Sequence, residues 1–70
     1  MSSSLYWVVV WSDVDGTEYR ERSRTRALAL SAACDLIDQG HRVQRIEGRN
    51  RVILRREAVE QYCRDRAWTP

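Results

Sequence analysis

The chain contains no lysine and no phenylalanine, and its 70 residues include one histidine, one proline, two cysteines and three glycines. Each scarcity excludes something. Without lysine there is no ammonium group to serve as a base or to form a Schiff base, and every one of the twelve cations is the planar, permanently charged fork of arginine. One histidine and two cysteines in no ligand-like spacing make a zinc site an unsuitable reading. The longest apolar run, residues 5–11 (LYWVVVW), is too short for a signal peptide or a membrane span, and Met1 to Ser4 carries no basic side chain. The chain is therefore expected in the cytoplasm with no membrane partner.

What remains is globular. Hydrophobic residues make up 43% and charged residues 31% of the chain, which argues against global disorder. Residues 1–70 are read as a single small domain, with 1–4 and 69–70 as flexible ends, close to the size at which one core suffices. The net charge of +2 is unevenly distributed: residues 39–56 hold six arginines against Glu47, a net +5, which leaves −3 for the remainder.

The organising stretch is Thr25 to Gln39. At a helical pitch Ala29, Leu30, Ala33, Cys34, Leu36 and Ile37 gather on one face, and Arg24, Ser31, Asp35 and Asp38 on the other. Thr25 or Ser23 can cap its open amides, and Gly40 can end it in the left-handed conformation. Ahead of it, residues 5–11 read as a β-branched and aromatic strand that is apolar on both faces, hence interior to a sheet. Ser12 to Gly16 reads as a turn, and Thr17 to Ser23 as a charged edge strand. Behind the helix, residues 41–47 and 51–54 form a second hairpin around Gly48, Arg49 and Asn50. His41 reads as a surface residue at its start. Residues 55–66 form a second helix with Ala58, Val59, Tyr62 and Cys63 as its stripe.

The predicted fold class is α+β: a ββαββα chain with a four-stranded antiparallel sheet in the order 2-1-3-4, a central amphipathic helix and a C-terminal helix. That order places the doubly apolar strand inside and the charged strand at an edge. With both helices on one face, the other face is expected to carry Trp7 and Trp11. These two, joined by the exposed Leu28, are read as core or as a surface for self-association, with a homodimer as one outcome. Cys34 and Cys63 are read as buried free thiols rather than a disulfide, in keeping with a reducing compartment.

For function, the arginines of the second half are the leading feature. Arg42, Arg45, Arg49, Arg51, Arg55 and Arg56 project from one hairpin and its exit, where guanidinium forks suit phosphates or acidic protein patches. The same residues read equally well as a solvated face paired with Glu47 and its neighbours.

Three local resemblances add expectations. Residues 8–17 (VVVWSDVDGT) resemble the first motif of the haloacid dehalogenase superfamily of phosphatases, which implies Asp13 as nucleophile, Asp15 as general acid/base and magnesium as cofactor. The family's lysine, its later acidic pair and the length for its doubly wound sheet are absent, so the stretch is read as a hairpin turn, with no catalytic residue, cofactor or metal assigned. Residues 36–66 resemble the wing and following helix of excisionase-like DNA-binding proteins, through Gly40, the hairpin arginines and the Arg55-Arg56-Glu57 helix start. That resemblance implies phosphate contacts from Arg42, Arg45, Arg49 and Arg51, although the family's preceding helix-turn-helix has no counterpart here. The overall layout is similar to small phage and prophage inhibitors such as anti-CRISPR proteins, which bind protein or ribonucleoprotein complexes. The reading is thus a non-enzymatic binding protein that docks its arginine hairpin on an acidic surface of a partner protein or ribonucleoprotein complex, with direct DNA or RNA binding as the alternative.

Overall fold

The computed structural model describes residues 6–48 and 51–67. The expectations for residues 1–4, 69–70 and Arg49 lie outside the described residues. The chain runs β1 (Trp7–Ser12), β2 (Glu18–Ser23), α1 (Arg26–Asp38), β3 (Arg42–Glu47), β4 (Ile53–Arg55) and α2 (Arg56–Ala67). The strands form one antiparallel sheet in the order β2-β1-β3-β4, as the pattern of the sequence predicts.

Local chemistry sets the boundaries. In the first turn the Asp13 carbonyl accepts the Gly16 amide and Gly16 takes a φ of 90°, a conformation open to a residue without a Cβ. Thr25 is the N-cap of α1, its hydroxyl accepting the Leu28 amide at 3.1 Å. Past the Gln39 C-cap, Gly40 with φ 91° donates to the Ile37 carbonyl and His41 to that of Leu36, so the last open carbonyls are satisfied by a Schellman turn. Arg51, expected to open β4, instead has φ 64°. That conformation has no place in a strand ladder, and β4 is correspondingly short.

The core lies between one sheet face and both helices. Val9, Ala29, Leu30, Ala33, Leu36, Val43, Ile46 and Val59 form it, with Trp7, Trp11, Ile37, Leu54 and Cys63 packed against it. Trp7 and Trp11 are therefore on the helix-covered face, which corrects the expectation that they occupy the opposite one. Strand alternation ties them to Val9, and Val9 is the residue over which the alanine-rich face of α1 closes. Trp11 stacks on Tyr19 at 4.7 Å between ring centroids and meets His41 at the same distance, so His41 is half-buried rather than a surface residue. Leu28 is 56% exposed, as expected.

The cysteines also differ from expectation. Cys34 of α1 and Cys63 of α2 form a disulfide, with their Cα atoms 5.5 Å apart. The geometry of α2 explains its value. Of the four residues expected on its apolar stripe, Val59 alone is fully buried, Cys63 is half-buried, and Ala58 and Tyr62 are exposed. Burying one valine contributes about 1.5–3 kcal/mol, little against the cost of ordering a helix, so the covalent link to α1 carries much of the docking.

Reduction, or paired Cys34→Ser and Cys63→Ser substitution, is expected to lower unfolding free energy by roughly 3–4 kcal/mol for a closed loop of this length. Urea titration with and without dithiothreitol measures it. At Gly48 an added Cβ would lie 2.5 Å from the Trp7 ring. Gly48→Ala is expected to cost about 1–3 kcal/mol by forcing that ring off its seat, visible as a lower urea midpoint and altered tryptophan fluorescence.

Candidate functional site

The helix-free face of the sheet gathers the arginines. In register across the strands, Arg20, Val10, Arg45 and Arg55 form one row, and Arg22, Val8, Glu47 and Ile53 the next. Glu18, Ser12 and Arg42 form a third. A β-bulge between the first and third rows gives β3 one extra residue, Gln44, between Arg45 opposite Val10 and Val43 opposite Trp11. Because of that bulge Arg42, Gln44 and Arg45 can all border the same side of the sheet. They line a shallow groove together with Ser12, Ile53, Arg55 and the first residues of α2, Arg56 and Glu57.

The upper part of this face is internally neutralised. Glu47 accepts from Arg45 Nε at 2.8 Å and from Arg20 Nη1 at 3.3 Å. Arg20 stands on β2 and Glu47 on β3, so this bridge passes over β1 between Val8 and Val10. Val10 is 0% exposed although no helix lies on its side of the sheet. The apolar stems of Arg20 and Arg45, its neighbours in register, are placed to cover it, a larger effect than the ion pairs: exposed pairs of this kind are worth about 0–1 kcal/mol, whereas sealing a valine is worth about 1.5–3 kcal/mol. The hydrogen bond from Arg45, aided by the positive charge of Arg20 and Arg45, holds the Glu47 carboxyl below its ordinary range despite partial burial.

The lower part is not neutralised. Arg56 pairs with Glu60 at 3.7 Å, but Arg42 and Arg55 make no ion pair among the described residues. Two free guanidinium groups thus border the groove, beside Ile53, which is 54% exposed. Arg22 is occupied differently, lying 5.5 Å over the ring of Tyr6.

Of the residues singled out in the sequence, the fold brings together Arg42, Arg45, Arg55 and Arg56. Arg51 sits in the turn and does not line the groove. Sequence reading missed the contribution of β2: Arg20 and Arg22 share this face with the hairpin arginines. Their alternation with Tyr19 and Glu21 was the available signal, and it lacked only the knowledge of which side Tyr19 takes. Ser12, Gln44 and Ile53 were missed as well, Gln44 because a bulge leaves no trace in an alternation pattern.

Asp13 and Asp15 serve the first turn. Asp13 Oδ1 accepts the Val14 amide at 2.6 Å and Asp15 Oδ1 the Thr17 amide at 3.1 Å. Hydrogen bonds from Thr17 hold the Asp15 carboxyl below its usual range. No group of three or more histidine, cysteine, aspartate or glutamate side chains is placed to hold a metal ion among the described residues, and no helix there is long and apolar enough to cross a membrane. Comparison of the chain with protein-family models, curated proteins and solved structures finds no match.

Because the Glu47 carboxyl is depressed in the folded state, its contribution to stability is fully present above roughly pH 4.5 and lost as pH falls through the lower folded value. Glu47→Gln is expected to be less stable than wild type near neutrality, with the difference shrinking on acidification below pH 4.5. Urea unfolding of both proteins across that range measures it; a constant difference would remove Glu47 as the clasp.

Proposed function

We propose that the chain is a non-enzymatic binding module that presents the helix-free face of its sheet, centred on the groove between β3, β4 and the start of α2, to an acidic surface of a partner protein or protein complex. The observation that carries this reading is the pair of unneutralised guanidinium groups, Arg42 and Arg55, beside the exposed Ile53. Arginine forks around an apolar residue are the composition of a protein interface, where arginine is enriched and apolar area is buried at the centre. The similarity in layout to small phage and prophage inhibitors gives the reading its second support, since those proteins act on protein or ribonucleoprotein complexes.

Direct nucleic-acid binding is the alternative. It draws on the excess of five arginines over two glutamates on this face and on the likeness of the hairpin to an excisionase-type wing. Against it, single strands are held by exposed aromatic platforms, and Trp7 and Trp11 pack against the core on the other side of the sheet. The same packing leaves Leu28 as the exposed member of the surface first considered for self-association.

The cytoplasmic reading drew in part on free thiols. The cross-link between Cys34 and Cys63 fits an oxidising compartment better, as such bonds persist there and are rare in a reducing one.

The test is capture from lysate, with and without nuclease treatment, on immobilised oxidised protein, in parallel with the double variant Arg42→Glu, Arg55→Glu. Both positions are exposed, so the variant is expected to keep its unfolding free energy within about 0.5 kcal/mol of wild type. A protein retained by wild type and lost by the variant supports the reading. Retention of nucleic acid alone, released steeply by salt, supports the alternative.

A further inference from the structure

Resting on that reading, we infer that the groove takes an acidic peptide segment of the partner, one of whose carboxylates is held between Arg42 and Arg55 while an adjacent apolar side chain covers Ile53. The protein already shows the chemistry one row away. There Glu47 lies between two arginines, accepting from Arg45 at 2.8 Å and from Arg20 at 3.3 Å. The face is thus built to hold a carboxylate between guanidinium forks from different strands, and its own sequence supplies one such carboxylate.

Arg42 and Arg55 border the groove from β3 and β4 with no ion-pair partner among the described residues. A second carboxylate, supplied in trans, completes the pattern, and charge-assisted hydrogen bonds of this kind are the stronger class. Ser12 and Gln44, which also line the groove, can bond the peptide backbone.

Two features select a carboxylate on a peptide over a phosphodiester. Glu57 itself lines the groove, and Glu47 stands in the row next to Arg45 and Arg55. A continuous line of phosphates would run past both, whereas one carboxylate need not. Ile53, 54% exposed, demands an apolar neighbour, which an amino-acid side chain offers and a sugar-phosphate backbone does not.

The experiment is an NMR titration of isotope-labelled, oxidised protein with a short peptide alternating glutamate and leucine. Three further probes are its glutamine-leucine analogue, its glutamate-serine analogue and a mixed-sequence DNA single strand. The glutamate-leucine peptide is expected to shift the amides of Ser12, Gln44, Ile53 and Arg55, and the glutamine analogue to bind at least about tenfold more weakly, the loss of a charged hydrogen-bond pair. Arg42→Gln and Arg55→Gln should each weaken the peptide by a similar factor, and the serine analogue should bind about fivefold more weakly for want of contact with Ile53.

Equal binding of the glutamine analogue, or undiminished binding by both arginine variants, overturns the inference. If the acidic peptide binds but its shifts fall on Arg20 and Arg22, at the β2 edge of the same sheet face, the groove is wrong while the acidic-partner reading of that face stands. If the DNA strand alone binds, both fall.

Discussion

The structure depends on a constraint set by β1, a strand apolar on both faces. One face is easily dealt with: Trp7, Val9 and Trp11 lie under two helices. The other has no helix to cover it, yet Val10 on that side is fully buried. Placed to cover it are its neighbours in register, Arg20 on β2 and Arg45 on β3, whose guanidinium groups both bond Glu47. Arginine suits this task because its stem is apolar while its head stays hydrated and forms two directed hydrogen bonds at once. A lysine in either place would offer a point charge on a floppier stem. The all-arginine composition thus has a structural use at the centre of the sheet, before any question of partners arises.

That clasp also divides the face into two halves. Around Glu47 the charges are satisfied within the chain. Toward α2 they are not, because the bulge at Gln44 keeps Arg42 and Arg45 on one side of the sheet and the short β4 delivers Arg55 next to them. The separation explains why a net charge of only +2 can coexist with a concentrated basic site: the chain's acids, Glu57 apart, balance the total without lining the groove.

Much of the fold was legible because its signals are local. A doubly apolar strand, a charged edge strand, an alanine-rich helix stripe and glycines at two turns fix the element order, and the 2-1-3-4 sheet then follows from placing the greasiest strand inside. What failed required knowledge of depth. Whether Trp7 and Trp11 face helix or solvent depends on which side of β1 the helices choose, and both sides of β1 are apolar. Whether Cys34 meets Cys63 depends on how α2 crosses α1, which no periodicity encodes. The site was half legible for the same reason. The arginines of the second hairpin are near one another in sequence, whereas Arg20 joins them only through sheet pairing.

The disulfide connects these two themes. The groove includes the first turn of α2, with Arg56 and Glu57 among its lining residues, yet of the described side chains of α2 Val59 alone is fully buried. A helix so weakly anchored by packing would leave its N-terminal turn poorly fixed were it not tied near its other end, at Cys63, to Cys34 on α1. Two constraints, β4 running directly into the helix and the cross-link seven residues further along at Cys63, together determine where Arg56 and Glu57 stand. The core cross-link and the surface groove are in this sense one device. The covalent bond on the inner face gives a short, highly charged helix the fixed position that its sparse apolar surface alone does not provide.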